Sequence, residues 1–394
     1  MRVLEVMEST IGGTRRHLVD LAAGLAAAGD EVHLCVSAER EPRFRADLAD
    51  LAAAGVVVHE VPMVRSISPL QDLRHQRAIE ALLREVQPDV VHTHSSKAGV
   101  LGRNASRSTG IGVRVHTPHT FAFLFDAMFG VLKRRAFRMI EAYLGKRTGR
   151  LIAVSQGEAE TMCAAPPGGG PGVIQEHRVR VVVNGVDPTR WAGAEPLPRA
   201  ELGLGEDDVV VLVAGLLNPA KGQDLAIEAF TRGQLAGRPN VKLLLAGHGD
   251  DLPELEALAA RHGLDERVTF LGWRDDLPRL MATADLLLLP SRWEGMPYAV
   301  LEAMAAGLPV VATRVDGARD LVEELTPEGG TGLVVDAGDP AAMADAVARL
   351  AELDAAERRA IGARGAARVS EHFTIEHMVQ RTRAVFREAM EERA

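Results

Sequence analysis

Two glutamates eight residues apart, Glu294 and Glu302, are well spaced to do chemistry in this sequence. Gly295 and Pro297 lie between them, and the apolar run before them, residues 284–290, is typical of a short buried strand. Pro297 suits the first turn of a helix, where no N–H group is needed. We therefore predict a strand, a loop that carries Glu294, and a helix that carries Glu302 about 7.5 Å along its axis.

Such a unit could bind a nucleotide sugar. The N–H groups at the start of a helix bind phosphate, and carboxylates accept hydrogen bonds from sugar hydroxyls. On this interpretation Glu294 binds a hexose, the following amides bind the phosphates, and Glu302 binds a ribose. The same pattern would arise from two surface glutamates that flank the start of a helix, and it does not separate the two interpretations.

A lysine near the start of a second helix is another candidate. Residues 215–222 follow a predicted strand and precede a helix at Gln223, which puts Lys221 at the carboxyl edge of a sheet. A cation there could bind phosphate. The segment is not a P-loop, because that motif requires Gly-Lys-Ser/Thr. A plain surface lysine in a strand–helix loop is the alternative.

The first predicted strand is followed by two glycines, Gly12 and Gly13, which open a helix at Thr14. Glycines there would let a ligand approach the backbone, although a tight turn would look the same. The Gly-x-Gly-x-x-Gly fingerprint is absent, which counts against a nicotinamide dehydrogenase.

Histidines end two strands of the first half. Pro118 keeps Thr117 extended, so His119 should project at the sheet edge, where a neutral imidazole could contact a sugar or move a proton. A buried structural histidine is the alternative. His92 and His94 end the preceding strand, but no acidic residue stands at the spacing of a known metal site, so we predict no metal.

Composition narrows the class of protein. The 394 residues suffice for two domains, and 47% hydrophobic with 25% charged residues is typical of a globular protein. A net charge of −9 disfavours nucleic acid as a partner. Two cysteines, Cys35 and Cys163, cannot form a disulfide framework, so we expect a cytoplasmic protein. We expect neither a signal peptide at the acidic N-terminus nor a membrane span.

Short β-branched runs alternate with helix-length segments throughout, as in βαβ units. In the first half the predicted strands are 3–7, 31–36, 56–60, 89–92, 113–116, 151–154 and 178–183. In the second half they are 209–215, 241–247, 268–272, 285–290, 309–313 and 332–335. The fold class is therefore α/β, with two doubly wound Rossmann-like domains that we expect to face a cleft, since ligands bind at the carboxyl ends of such strands.

We place the domain boundary after the turn-rich residues 184–188. The predicted domains are residues 1–185 and 186–374. Residues 375–394, which contain a predicted helix from Ile375 to Glu391, are expected to cross back to the first domain.

The segment from Asp126 to Arg150 is the most basic part of the first domain and also carries many apolar residues. A basic, apolar helix can lie on an anionic membrane surface. It can also pack its apolar stripe on the sheet with its basic face in water, which is the interpretation we favour.

Together these features resemble family 4 glycosyltransferases of the GT-B fold, almost from end to end. The residues that carry the resemblance are Gly12-Gly13, His119, the Asn-Gly-Val-Asp sequence at 184–187, Lys221-Gly222, the Gly-His-Gly sequence at 247–249, the Phe-Leu-Gly-Trp sequence at 270–273, and the pair Glu294 and Glu302.

The resemblance implies a retaining, metal-independent transferase without a cofactor. Its donor would be a nucleotide sugar, which we expect to be a UDP-sugar carrying a hexose or an N-acetylhexosamine. The first domain would bind an unidentified small-molecule, glycan or lipid-linked acceptor. The sequence does not define the oligomeric state, and an enzyme of this kind could work at the inner face of the membrane.

Carried over residue by residue, the resemblance implies that His119, Glu294 and Lys221 are catalytic. Lys221 would contact the diphosphate, Glu302 the ribose and Glu294 the hexose. The segment around Trp273 would hold the base. The implied donor-binding residues are Gly13, Lys221, Gly222, Gly247, Trp273, Arg274, Glu294, Gly295, Met296, Pro297, Tyr298, Ala299 and Glu302.

The sequence departs from the family at one position. Family members often carry arginine after the glycine that opens the loop to the Lys-Gly pair, whereas Leu216 follows Gly215 here. Lys221 and the helix amides would then carry more of the diphosphate charge. Two other functions fit the same fold, a nucleotide-sugar 2-epimerase and a non-catalytic nucleotide-sugar-binding protein.

Overall fold

The computed structural model describes residues 1–8, 10–124, 129–165 and 172–392. The chain divides into two compact units. Unit 1 comprises Met1–Gly185 with Ile375–Ala394, and unit 2 comprises Val186–Thr374. Each unit contains one sheet in which every pair of neighbouring strands is parallel.

Unit 1 has a seven-stranded sheet in the order β3-β2-β1-β4-β5-β6-β7. The strands are β1 (Arg2–Met7), β2 (Glu31–Val36), β3 (Val57–Glu60), β4 (Val90–His94), β5 (Val113–Thr117), β6 (Arg150–Ala153) and β7 (Val179–Val181). The helices are α1 (Gly12–Ala27), α2 (Phe44–Ala53), α3 (Pro69–Val86), α4 (Ser96–Thr109), α5 (Val131–Gly145) and α6 (Gln156–Cys163). The order of the first six strands is that of a doubly wound fold.

Helices cover both faces of this sheet, which is why its strands are near-continuous apolar runs. Val3 packs on one face in a core shared with α1 and the C-terminal helix. The next residue, Leu4, packs on the opposite face with residues of α3 and α4.

Unit 2 has a six-stranded sheet in the order β10-β9-β8-β11-β12-β13. The strands are β8 (Val209–Ala214), β9 (Val241–Ala246), β10 (Val268–Gly272), β11 (Leu286–Leu289), β12 (Val310–Thr313) and β13 (Gly332–Val335). The helices are α7 (Gln223–Ala229), α8 (Gly233–Ala236), α9 (Leu252–Arg261), α10 (Leu277–Thr283), α11 (Tyr298–Ala305), α12 (Asp316–Leu321), α13 (Pro340–Glu352) and α14 (Ala355–His372).

The last helix, α15 (Ile375–Glu391), has the predicted bounds and belongs to unit 1. It packs on α1 so closely that a Cβ atom on Gly24 would lie 2.4 Å from Val379 Cγ2. Among the described residues, no helix combines the length and the hydrophobicity needed to cross a bilayer.

The predicted α/β class and the two Rossmann-like domains are confirmed. All thirteen predicted strands form, with ends displaced by two residues at most. In each sheet the strand order reverses between the first and the fourth strand, at β1/β4 in unit 1 and at β8/β11 in unit 2. Doubly wound folds bind ligands at the carboxyl ends of the strands beside this reversal. We therefore expect a ligand-binding site at each of these two places.

Candidate functional site

The reversal in unit 2 brings together a lysine and a glutamate from two different loops. Lys221 lies in the loop after β8, and Ser291 and Glu294 lie in the loop after β11. Lys221 Nζ donates a 2.6 Å hydrogen bond to Glu294 Oε1, and Ser291 Oγ donates to the same oxygen at 2.8 Å. The side chains that were predicted to contact the diphosphate and the hexose are therefore in direct contact.

The two loops can meet because Gly222 has no side chain. Its φ angle is +67°, and a Cβ atom would lie 2.2 Å from the carbonyl oxygen of Pro290 at the end of β11. On the other side of β11, Thr313 Oγ1 donates to the carbonyl oxygen of Ser291 at 2.6 Å. The backbone around the lysine–glutamate pair is thus fixed from both neighbouring strands.

Arg292 holds the lysine loop in place, and sequence reasoning missed it. Its backbone N–H donates to Ala220 O at 2.8 Å, and its guanidinium binds Pro219 O and both carboxylate oxygens of Asp224. The hydrogen bonds to Asp224 raise the pKa of Arg292. Arg292 therefore brings a cation to the loop in which Leu216 replaces the usual arginine, but its guanidinium is already paired with a carboxylate.

The helix after Glu294 begins one residue later than predicted. Pro297 is the residue before α11 and not part of its first turn. The side chains of Met296 and Tyr298 are buried, so these residues can offer a ligand their backbone N–H groups but not their side chains. The first N–H groups of a helix have no partner within it, and α11 begins four residues after Glu294. Glu302 is the fifth residue of α11 and half-buried.

The residues implied to hold the base follow β9 and β10. Trp273 is 41% exposed, and its Nε1 donates to Asp275 Oδ1 at 2.7 Å. The ring of His248 lies edge-on with centroids 5.0 Å apart, so an exposed aromatic face is available there. Arg274 forms two hydrogen bonds to Asp276, of 2.8 and 2.6 Å.

Two glycines that were implied to bind the donor, Gly247 and Gly13, lie in different surroundings. A Cβ atom on Gly247 would lie 1.8 Å from the carbonyl oxygen of Gly215, so glycine is required there by backbone packing alone. Gly13 is exposed near the start of α1, which begins at Gly12, two residues before the predicted position.

The reversal in unit 1 carries a cluster of histidines. We call Glu5, His17, His92, His94 and His119 the histidine cluster. Glu5 on β1 is opposite His92 in the strand pairing. Its Oε2 atom lies 2.6 Å from His94 Nε2 and 2.9 Å from His92 Nδ1. The acidic partner that was missing from the sequence spacing is therefore supplied by another strand.

Further contacts extend the cluster to His17 and His119. His94 Nδ1 lies 3.1 Å from His119 Nε2, and the rings of His17 and His119 are 4.5 Å apart. His17 Nδ1 is hydrogen-bonded to Asn184 Oδ1 at 2.9 Å. His119 itself has a left-handed backbone, with φ +53°, a conformation that non-glycine residues adopt rarely and that is enriched at functional sites.

Burial keeps the imidazoles of His17, His94 and His119 neutral. Burial, with repulsion from neighbouring histidines, lowers the pKa of His17 to about 3 and that of His94 to about 4. The same causes lower the pKa of His119 well below its ordinary value. Burial raises the pKa of Glu5, but its interactions with His92 and His94 outweigh this effect and lower the pKa to about 2. Near neutral pH the carboxylate of Glu5 is therefore ionised, and the imidazoles of His17, His94 and His119 are neutral.

We predicted that the basic segment, residues 126–150, packs its apolar stripe on the sheet. For one face of α5 this prediction is wrong. Phe137 packs inward, whereas Leu132 is 81% exposed, Met139 is 72% exposed and Ile140 is also exposed. The apolar stripe thus faces outward beside the basic residues. Of the predicted segment, Asp126–Met128 lie outside the described residues.

Two family models match the chain, "Glycosyltransferase Family 4" over residues 11–190 and "Glycosyl transferases group 1" over residues 195–368. Two doubly wound domains with a lysine–glutamate pair beside a helix start fit a glycosyltransferase of the GT-B fold. The chain belongs to the family 4 glycosyltransferases. It is an enzyme that uses a nucleotide-sugar donor.

Similar proteins agree with this assignment. The chain is 32% identical over 268 residues to the UDP-Gal:alpha-D-GlcNAc-diphosphoundecaprenol alpha-1,3-galactosyltransferase of Escherichia coli, covering 66% of this chain and 67% of the relative. It is 31% identical over 411 residues to the D-inositol 3-phosphate glycosyltransferase of Acidothermus cellulolyticus, covering 97% and 87%. Its fold resembles that of Anabaena HepE in complex with UDP and glucose, with a TM-score of 0.78, 24% identity and 98% of each chain covered.

Proposed function

We propose that this enzyme transfers a hexose or an N-acetylhexosamine from a UDP-sugar to a hydroxyl acceptor, with retention of the anomeric configuration and without a metal at the donor. The contact between Lys221 and Glu294 at the strand reversal of unit 2 carries the proposal. Uridine is favoured because the Escherichia coli relative is named for UDP-Gal and HepE was solved with UDP.

The donor would lie across the loops of unit 2. Lys221 has three N–H donors, so it can keep its contact with Glu294 while it binds the diphosphate. The amides at the start of α11 would bind the same phosphates, Glu302 the ribose and the exposed ring of Trp273 the base. Glu294 would accept hydrogen bonds from the transferred sugar, and His119 of unit 1 would also contact that sugar.

Retention is proposed to occur on one face of the sugar. A double displacement needs a carboxylate against the anomeric carbon, and Glu294 is the candidate. Its Oε1 atom already accepts two hydrogen bonds, which reduces its nucleophilicity. We therefore propose that the bond to the diphosphate breaks as the acceptor oxygen attacks the same face, and that the leaving diphosphate takes the acceptor's proton. Lys221 stabilises the charge that grows on the leaving group.

A screen of nucleotide sugars tests the donor. A ligand at about 100 times its dissociation constant stabilises the folded protein by about 2.7 kcal/mol, so UDP-sugars should raise the melting temperature of unit 2 more than GDP- or ADP-sugars do. Stabilisation by GDP- or ADP-sugars alone would contradict the choice of base. Donor consumption without an acceptor, yielding a changed free sugar, would favour a 2-epimerase, and binding without turnover would favour a non-catalytic protein.

We further propose that the acceptor is lipid-linked and that α5 lies on an anionic bilayer. The buried side chains of Arg103 and Glu141 form a 2.7 Å ion pair that fixes α5 to α4. The opposite face of α5 is apolar and exposed. The flanking cations are Lys133, Arg135 and Lys146. An apolar stripe bordered by cations binds anionic membrane surfaces, and a diphosphoundecaprenol-linked acceptor is named for the Escherichia coli relative.

Vesicle co-sedimentation tests this surface. The wild-type enzyme should bind phosphatidylglycerol-containing vesicles and not purely zwitterionic ones. Replacing Leu132 and Met139 together with serine should abolish binding. The matched control replaces Ile67 and Leu70, which are equally exposed apolar residues elsewhere in unit 1, and should bind as the wild type does. Equal binding by both double variants would contradict the proposed membrane face.

A further inference from the structure

We propose that the buried carboxylate of Glu158 is a positioning residue for His119. It holds the turn after β5 in the conformation that presents the His119 imidazole to the transferred sugar, and the inference therefore rests on the proposed contact between His119 and that sugar. Glu158 lies in the first turn of α6. This helix follows β6, and β6 is the neighbour of β5 in the sheet, so Glu158 reaches the turn although 38 residues separate it from Thr120.

The turn contains two consecutive residues with a left-handed backbone. The φ angle is +53° at His119 and +82° at Thr120. Histidine is enriched in this region, but a β-branched residue such as threonine is an outlier there. Such conformations persist only where the surrounding structure over-determines them. Contacts from outside the turn must therefore hold it.

Glu158 makes such a contact with both of its oxygens. Its Oε1 atom accepts a hydrogen bond from the backbone N–H of Thr120 at 2.6 Å, and its Oε2 atom accepts from the backbone N–H of Val154 at 2.7 Å. The residue is only 2% exposed, and hydrogen bonds to a carboxylate are roughly twice as strong as those between neutral groups. One buried side chain thus ties the turn to the residue that follows β6.

The position of this N–H group decides where the imidazole points. On one side of the turn Thr117 Oγ1 lies 2.8 Å from His92 Nε2, and on the other side Phe121 is buried in a core that α6 also lines. The N–H of Thr120 belongs to the peptide group that follows His119. Its orientation sets ψ of His119 and φ of Thr120, and these angles fix the direction of the His119 side chain between the two anchored ends.

Hydrogen exchange of the whole enzyme, resolved to single amides and without donor or acceptor, tests the contact. We expect the Thr120 amide to exchange at least about tenfold faster in Glu158→Ala than in the wild type. The matched control is Ser155→Ala. It removes the Oγ atom that accepts from the Glu158 N–H at 3.1 Å at the start of α6, but it leaves the carboxylate in place, so the Thr120 amide should remain protected.

Kinetics test whether Glu158 acts through His119. With the UDP-sugar that the donor screen selects, Glu158→Ala should lower the kcat for UDP release on the order of 10- to 100-fold and change the donor KM less. In the His119→Ala background the same substitution should lower kcat by less than about twofold, because the side chain that it positions is absent. A merely structural role would lower kcat equally in both backgrounds.

A second variant covers the case in which Glu158→Ala does not fold. Glu158→Gln keeps the size of the side chain, but its one carbonyl oxygen replaces the two carboxylate oxygens that accept from Thr120 and Val154. Its loss of kcat should follow the exchange of the Thr120 amide, so a protected amide should accompany full activity and an exposed amide a reduced rate.

The proposal is overturned if the Thr120 amide stays protected in folded Glu158→Ala, if Ser155→Ala loses as much activity, if kcat falls equally in both backgrounds, or if Glu158→Gln loses activity with this amide protected. Failure of the proposed function gives a different result. The wild type would then turn over no UDP-sugar and the role of Glu158 in transfer would fall with it, whereas hydrogen exchange would still report the contact with Thr120.

Discussion

Acid should destabilise the protein through the histidine cluster. The pKa of His17 falls from 6.5 to about 3 on folding, and that of His94 from 6.5 to about 4. Below pH 6.5 the unfolded chain therefore binds protons that the folded chain does not, so stability is complete above pH 6.5 and is lost as the pH falls toward 4 and 3. At pH 5 linkage gives a loss of about 2 kcal/mol for each histidine, or about 4 kcal/mol for both.

Such a loss is a large part of the 5–15 kcal/mol that typically stabilises a domain. Glu5 adds to this loss of stability only at lower pH. Its pKa falls from 4.5 to about 2 on folding, so the stability that it contributes is lost below pH 4.5. The groups that face His17 and His94 are the carboxylate of Glu5 and the imidazoles of His92 and His119. The window between pH 6.5 and 4.5 therefore excludes the contribution of Glu5.

Urea unfolding at pH 8, 6.5 and 5 measures this effect. The three tryptophans, Trp191, Trp273 and Trp293, all lie in unit 2, so their fluorescence follows unit 2 while far-ultraviolet circular dichroism follows both units. We expect the dichroism transition to move to lower urea at pH 5, and to move less in His17→Gln, which loses one of the titrating imidazoles. An unchanged pH dependence in His17→Gln would refute the reasoning, since the titrating group would then be elsewhere.

Three further predictions concern the donor. Glu302→Ala should raise the donor KM at a cost of about 1–3 kcal/mol, because ribose hydroxyls lose their acceptor; an unchanged affinity for UDP in calorimetry would remove Glu302 from the site. Lys221→Ala should lower kcat/KM on the order of 10²-fold or more, while a chelator should leave the wild-type rate unchanged; strong inhibition by chelator would contradict metal-independent transfer. His119→Ala and Glu294→Ala should each lower kcat more than they raise the donor KM, and a double-mutant cycle on kcat/KM should give a combined loss smaller than the product of the single losses. Strict additivity would show that the two residues do not act on the same sugar.

The strands and the donor-loop residues could be predicted because their patterns are local. Buried parallel strands are short apolar runs whatever lies around them, and Lys221 and Glu294 stand beside strand ends that the sequence marks clearly. That the two side chains touch was not predictable, because the contact depends on the sheet order that places β8 next to β11.

The histidine cluster was missed because its members are distant in sequence. Glu5 and His94 are 89 residues apart and His17 and Asn184 are 167 apart, so no spacing relates them. The exposed stripe of α5 was misjudged for a different reason. Its amphipathic pattern defines an apolar face, but it does not say whether that face meets the protein or the surroundings.

The position of α15 has a consequence for the synthesis of the chain. Phe386 of this last helix lies against the ring of His92 on β4, with centroids 5.2 Å apart, and α15 supplies part of the core of unit 1. The ribosome makes all of unit 2 between α6 and α15, which takes on the order of tens of seconds at about 5–20 residues per second. During that interval the part of this face that α15 covers, beside the core residues supplied by α1, has no cover from its own chain, so the nascent protein should bind chaperones there until α15 emerges.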